Sequence, residues 1–420
     1  MWNARLPERY PDVIVKAKDV YDVVAAVKLA RRENLRIGIR SGGHSWAGNH
    51  VRDGGLLLDL SALDEVTVDP DAMRATTGPG RAGNELAALL GRRGLFFPTG
   101  HCKGVCVGGY LLQGGFGWHG RTLGLACMSV VALDIVTAEG DIVHASEHEN
   151  ADLYWAARGS GPGFFGIVTR FHLRVYPKPK VMGFALHSYP IAMLEEVFRW
   201  AHAVGPEVPA SVEFQMLVSQ KAAGVGGPGI EVFAPVFSDG LRTALSDLSF
   251  MNKSELRRKA AMKVPFAPST LGIMYRAVMS HYPDETRWAV DNMWTGASID
   301  SLLPGLHKIA QTMPPPPSHM LWLNWSPPPE RPDMAFSVED DTYIALYAGW
   351  KNAKEDAKYA SWPESHMREM SHLATGCQLA DENLARRPAR FVTEDRMTKL
   401  DEIRANRDPK KRFHAWMGRP

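Results

Sequence analysis

Glycine is spread too unevenly along this chain for a fold built from like halves. Of 38 glycines in 420 residues, 25 fall in residues 1–166 and 13 in residues 167–420. The first stretch is therefore about twice as glycine-rich as an average globular protein, where glycine is ~7%. Proline runs the other way, with 6 of 29 before residue 167. The glycines follow no fixed period, which excludes collagen and low-complexity repeats. What remains is a first region whose backbone approaches a ligand closely or turns often, because only glycine lacks a Cβ.

The rest of the composition narrows the partners. Lys+Arg 48 against Asp+Glu 46 leaves a net charge of +2, so neither nucleic acid nor a membrane surface is an expected partner. Hydrophobic residues at 45% and charged residues at 22% describe a soluble globular chain long enough for two or three domains. The start, Met1-Trp2-Asn3-Ala4-Arg5, lacks an apolar leader, which predicts cytoplasmic residence. No apolar run reaches the length of a membrane span. Four cysteines are too few for a disulfide scaffold in a chain of this size.

Along the chain, Asp19 followed by Val20, Val23, Val24 and Val27 predicts a capped helix over 19–33. Leu35–Arg40 alternates like a strand and runs into Ser41-Gly42-Gly43-His44-Ser45. Leu56–Leu60 reads as a short buried strand, and Asn84 to about Arg93 as a helix. Strands and helices alternate in this way to Phe171, the pattern of an α+β or α/β region. Tyr176-Pro177-Lys178-Pro179 marks a boundary. The expected division is 1–176, 177–390 and a closing segment, 391–420. The middle region carries a helical pattern over Met193–Ala203 and a β-rich stretch over Thr342–Trp350. Its proline runs, Pro314–Pro317 and Pro327–Pro329, read as rigid loops between strands in preference to ligands of a proline-recognition domain. Thr398 onward reads as a helix ending at Asp408-Pro409.

Several constellations could carry chemistry. Gly78-Pro79-Gly80-Arg81-Ala82-Gly83 matches GxGxxG, but the preceding strand is short and polar and position 103 is lysine. A turn opening a helix is the better reading than a dinucleotide fingerprint. His101-Cys102 with Cys106 lacks the second ligand pair that zinc needs, so no metal is expected. A thiol in a glycine nest, where backbone N–H groups stabilise a thiolate, is the preferred reading. Arg40 with the Ser41-Gly42-Gly43-His44-Ser45 turn suits a pyrophosphate. Residues 100–117 hold seven glycines in eighteen positions, which predicts a backbone platform against a flat cofactor.

These stretches together resemble a family. Arg40–Ser45, Pro98-Thr99-Gly100-His101-Cys102 through Gly109, Gly114-Gly115-Phe116-Gly117, and Asp152–Gly159 through Gly166-Ile167-Val168-Thr169 resemble the FAD-linked oxidases of the berberine bridge enzyme type, in the vanillyl-alcohol oxidase-like superfamily. The resemblance covers about residues 2–176, and Leu400–Ile403, Asp408-Pro409 and Phe413 resemble the family's closing segment. It implies an α+β fold: a two-part PCMH-type FAD-binding domain plus a substrate domain whose antiparallel sheet is covered by helices. It implies bicovalent FAD, bonded at His44 and at Cys102. Arg40, Ser41, Gly42, Gly43, Ser45, Gly108 and Gly109 would hold the pyrophosphate, and Ile167 and Val168 the adenine end. Gly100, Val107, Tyr110, Gly114, Gly115 and Gly117 complete the implied cofactor site. Val105 matches a position where valine admits oxygen to the flavin, which implies an oxidase.

The departures concern the catalytic base. Trp46 stands where many members have tyrosine, Tyr110 where many have histidine, and Phe116 inside a Gly-Gly-Tyr-Gly motif. The family's Tyr-x-Asn has no counterpart around Arg396–Arg404. A hydride leaving a C–OH carbon needs a base within hydrogen-bond reach of the hydroxyl. By residue type the candidate bases are Tyr110, Tyr343, Tyr347, Glu339 and His119, with sheet packing the preferred reading of Tyr343 and Tyr347; Trp46 and Phe116 join Tyr110 and Tyr347 as candidates for the catalytic site. Trp46, Phe116 and Trp322 predict an apolar or aromatic substrate. The expected partners are a small-molecule substrate and O2, with the chain a monomer or homodimer. The alternatives are a flavin dehydrogenase using another acceptor and a non-catalytic flavin-binding interaction protein.

Overall fold

The first predicted helix forms as Val20–Arg32, and the Asp19 carboxylate caps it by accepting from the Tyr21 and Asp22 N–H groups. Its buried face, Val23, Ala26, Val27 and Ala30, packs on a three-stranded parallel sheet. In that sheet Leu56–Asp59 lies between Val13–Lys16 and Ile37–Arg40. Flanked on both sides, Leu56–Asp59 is buried throughout, as a central parallel strand must be. This computed structural model describes residues 2–327 and 330–419; Pro328 and Pro329, in the second proline run, lie outside them.

A second, five-stranded sheet is wholly antiparallel. Its order is Val66–Asp69, Arg74–Thr77, Ile167–Arg174, Val130–Val136, Ile142–Ser146. Both neighbours of Arg74–Thr77 are antiparallel, so Gly78–Gly83 is not the loop of a βαβ unit. It is the turn into the helix Gly83–Gly91. The two sheets share one core that includes Val27, Leu58, Leu133, Ile135, Phe171 and Leu173.

Sheet membership changes just after the proline pair. Tyr176-Pro177 pairs with Leu95–Phe96, and Val181–Pro190 already belongs to a seven-stranded antiparallel sheet. The order of that sheet is Met262–Pro268, Val181–Pro190, Gly229–Ser238, Phe214–Ser219, His319–Asn324, Thr342–Trp350, Arg287–Thr295. Helices Leu194–Val204 and Ile299–Thr312 cover one face and build a second core with Met216, Trp322, Ile344 and Leu346. Strand alternation sends Leu321, Leu323, Tyr343 and Tyr347 to the other face. Trp322 therefore belongs to the core under the helices, fully buried with its indole N–H donated to Asn324. It does not face a substrate, as its residue type had led us to expect. Pro314–Pro317 connect the helix Ile299–Thr312 to the strand His319–Asn324.

The closing helix starts four residues earlier than expected and spans Glu394–Arg407. Beyond it, Asp408 accepts from the N–H groups of Arg412 and Phe413 and turns the chain back. Phe413 then pairs in parallel with Ile37, and Leu400, Ile403, Phe413 and Trp416 enter the first core. Arg407 clamps Asp152 at 2.7 Å through two nitrogens. Among the described residues no helix is long and apolar enough to cross a membrane.

Candidate active site

The bare face of the seven-stranded sheet and the glycine-rich region enclose a cavity of about 1200 Å³. Pockets for drug-sized molecules are typically ~300–1,000 Å³, so this one is large enough for a large cofactor with a substrate beside it. Of the residues expected to bind the cofactor, Arg40, Ser41, Gly42, Gly43, His44, Ser45, Gly100, Cys102, Val105, Gly108, Gly109, Tyr110, Gly115 and Val168 line it. Val107, Gly114, Gly117 and Ile167 do not. Val107 and Ile167 are fully buried in the first core, because helix and strand alternation turn their side chains inward.

Most of these glycines make room for protein and not for a flat ligand. A Cβ on Gly42 would lie 2.7 Å from the Cys106 sulfur, and one on Gly108 would lie 2.2 Å from the Ser41 hydroxyl. A Cβ on Gly100, Gly115 or Gly117 would lie 3.1, 3.1 or 2.3 Å from the nearest Tyr110 atom, and one on Gly114 would lie 2.9 Å from the Phe336 ring. Only at Gly109, among the glycines of residues 100–117, would a Cβ meet nothing within 4 Å. The expected platform is thus a set of tight chain crossings that shape the cavity wall.

The wall carries polar atoms in need of a partner. Arg40 Nε, Asn49 Oδ1 and His50 Nε2 are buried without a hydrogen bond among the described residues, and all three residues line the cavity. Natural structures leave few such atoms unpaired. A dinucleotide, with phosphate oxygens, hydroxyls and ring nitrogens, fits this donor and acceptor set. Arg40 is also paired with Asp59 at 3.2 Å, which holds its guanidinium in place. Asn49 and His50 escaped sequence reading, since they lie in no recognisable motif.

Burial also sets the protonation of the two expected attachment residues. It lowers the His44 imidazole to about 4, so His44 is neutral and nucleophilic near pH 7. Trp2 stacks on it at 5.6 Å. Burial pushes the Cys102 thiol up to about 12, with the Asp381 charge adding to the effect. Cys106 is raised to about 11 for the same reason and donates its S–H to the Gly80 carbonyl at 3.0 Å. The thiolate expected of a glycine nest is therefore overruled: desolvation outweighs the nearby backbone dipoles. His101 Nε2 lies 2.8 Å from Glu213.

The centre of the sheet-side wall is a carboxylate that sequence reading missed. Asp381 is held by three donors: Trp46 Nε1 at 2.6 Å to Oδ1, and the hydroxyls of Tyr343 and Tyr347, the latter at 2.8 Å, to Oδ2. Tyr343 and Tyr347 are four apart on one strand, so they share a face and their hydroxyls converge. Their role is more than sheet packing, the reading preferred from sequence. Both phenols are pushed well above their ordinary range by burial and by Asp381, which makes them donors and removes Tyr347 as a base. Asp381 itself is raised by burial, against which its three hydrogen bonds act. No motif surrounds it in Gln378-Leu379-Ala380-Asp381-Glu382-Asn383.

The other candidates fall away as bases. Tyr110 donates its hydroxyl to the Pro98 carbonyl at 2.6 Å. Phe116 lines the cavity and packs on Trp294 and Trp325. Glu339 is buried away from the cavity, paired with Arg331 and accepting from Trp325 Nε1. His119 donates its backbone N–H to Glu213 and lies outside the cavity lining.

The loop bearing Asp381 is pinned to the sheet at both ends. Asn292 exchanges two hydrogen bonds with the Gln378 backbone, at 3.0 and 2.7 Å. Arg387 meets the carboxylate of Asp291 through Nε and Nη2 and also donates to the Asn292 carbonyl. Asp291 is fully buried and Arg387 nearly so.

Known proteins place this architecture. Residues 11–146 match the FAD binding domain family. The chain is 31% identical to the FAD-linked oxidoreductase nodO of Hypoxylon pulicicidum, over 99% of this chain and 92% of that protein. It is 32% identical to the FAD-linked oxidoreductase penO of Penicillium crustosum, over 98% and 91%. In fold it is similar to 6-hydroxy-D-nicotine oxidase from Arthrobacter nicotinovorans, with a TM-score of 0.85 and 21% identity over 99% of this chain and 93% of that one. Another similar structure is the xylooligosaccharide oxidase of Myceliophthora thermophila, with a TM-score of 0.82 and 22% identity over 100% and 93%. With a matching domain and relatives aligned over nearly their whole length, the chain belongs to the FAD-linked oxidoreductases.

Proposed function

We propose that this oxidoreductase is an oxidase of small apolar or aromatic alcohols, amines or natural-product intermediates, carrying FAD bonded at His44 and Cys102 and releasing hydrogen peroxide. The observation that carries the reading is Asp381, a hydrogen-bonded carboxylate in the same cavity as His44, Cys102 and Val105. FAD held in this cavity would supply the hydride acceptor and the route of the electrons to oxygen. The chain supplies the rest. Asp381 takes the proton of the substrate O–H or N–H, so that a carbonyl or imine leaves as hydride departs from carbon. Tyr343, Tyr347 and Trp46 hold its carboxylate in one orientation and stabilise its charge. Leu321, Leu323 and Phe116 give the cavity apolar walls, which favour an apolar substrate and exclude water.

Two experiments test this reading. A candidate substrate should bleach the flavin without air, and air should restore the yellow colour within the turnover time, with peroxide formed. Slow return of the colour sinks the oxidase and leaves a dehydrogenase; no bleaching by any member of these substrate classes sinks both. Separately, acid-denatured protein should stay yellow. His44→Ala and Cys102→Ala should each retain one link, and the double variant should release its flavin. Free flavin from the wild type would refute the attachment.

A further inference from the structure

On the outward face of the five-stranded sheet, away from the cavity, three side chains converge. Asp134, His144 and His172 stand on Val130–Val136, Ile142–Ser146 and Ile167–Arg174. Asp134 Oδ1 lies 2.9 Å from His144 Nδ1 and 3.2 Å from His172 Nε2. All three donor atoms fall within 4.8 Å of one another. None of the three residues lines the cavity, and the chemistry above uses none of them.

We propose that Asp134, His144 and His172 form a binding site for a divalent transition metal of the zinc class. Two imidazoles and one carboxylate are ligands suited to that class and poor ones for magnesium or calcium. At metal–ligand distances of about 2.0–2.2 Å, neighbouring ligands of a tetrahedral ion lie about 3.3–3.5 Å apart. The two observed separations from Asp134 Oδ1 need to open by only a few tenths of an ångström. Three strands of one sheet fix the donors, so little side-chain order remains to be lost. His144 is 42% exposed in its side chain, and Asp134 and His172 about a quarter, which gives an ion a way in and leaves a position for water. Arg170, in register with Asp134, is directed toward Glu65 at 3.9 Å. A bound ion would tie Val130–Val136 to both its neighbours.

Flavin-loaded protein, stripped with chelator and equilibrated with zinc chloride, is the test. We expect the wild type to retain about one zinc per chain, with affinity falling at least about tenfold in His172→Gln and again in Asp134→Asn. Zinc should also raise the unfolding temperature of the wild type and of neither variant. Both variants lie on the sheet surface, and retained flavin absorbance verifies that they are folded. A wild type that binds no zinc, or variants that bind it as the wild type does, overturns the site.

Discussion

Replacing Asp381 by asparagine is expected to lower turnover by about 10²–10⁴-fold, the range that a positioned general base supplies. Asparagine fills the same volume and can still accept from Tyr343 and Tyr347, so flavin content should match the wild type. The loss should appear in the rate of anaerobic flavin bleaching at saturating substrate, because a base acts on the reacting proton and not on binding. The pH profile gives a second signature. Burial holds the Asp381 carboxyl above the usual carboxylate range, despite three hydrogen bonds that favour the charged form. A base works deprotonated, so kcat/KM of the wild type should fall as pH drops through that raised value, and Asp381→Asn should lack this limb. A variant that keeps turnover within about tenfold of the wild type would remove Asp381 from the role of base.

The second large effect is on stability. Arg387→Met strands the Asp291 carboxylate in the core, where it is fully buried. Breaking such a pair from one side costs about 3–5 kcal/mol, since the remaining charge has neither water nor a counter-ion. Only the Asn292 backbone N–H, at 2.8 Å, and the Asn383 amide, at 3.2 Å, would still donate to Asp291 among the described residues. Urea unfolding followed by circular dichroism and by flavin fluorescence should register this loss. Asp291→Leu combined with Arg387→Met should recover much of it, because an apolar pair carries no desolvation penalty. The single variant should also lower turnover in the protein that remains folded, since Arg387 and Asn292 anchor the loop carrying Asp381. A single variant as stable as the wild type would show that the carboxylate finds water.

The early glycines show where sequence reading stops. Their density marks a region where backbones crowd, and that region does wall the cavity. What each glycine meets is a matter of approach in space: Gly117 meets Tyr110, Gly114 meets Phe336 from beyond the domain boundary, and Gly108 meets Ser41. The seven-stranded sheet illustrates the same division. Thr342–Trp350 was legible as β-structure from composition, and it forms with those bounds. That Tyr343 and Tyr347 face the cavity while Trp322 turns to the helices depends on which face the helices cover.

Local order along the chain was enough for the cofactor and the architecture. The Asp19 cap, the Arg40–Ser45 turn, the Gly100–Gly117 stretch and the closing Asp408-Pro409 act through neighbours in sequence, and each carries its own signature. The proposed base had no such signature. Asp381 is one of 46 acidic residues, and it becomes chemical only when Trp46, 335 positions away, and two tyrosines of a neighbouring strand close around it. A carboxylate draws its reactivity from burial and from donors that folding delivers. Short-range motifs therefore carried the resemblance that implies the cofactor, and long-range packing built the carboxylate proposed to act beside it.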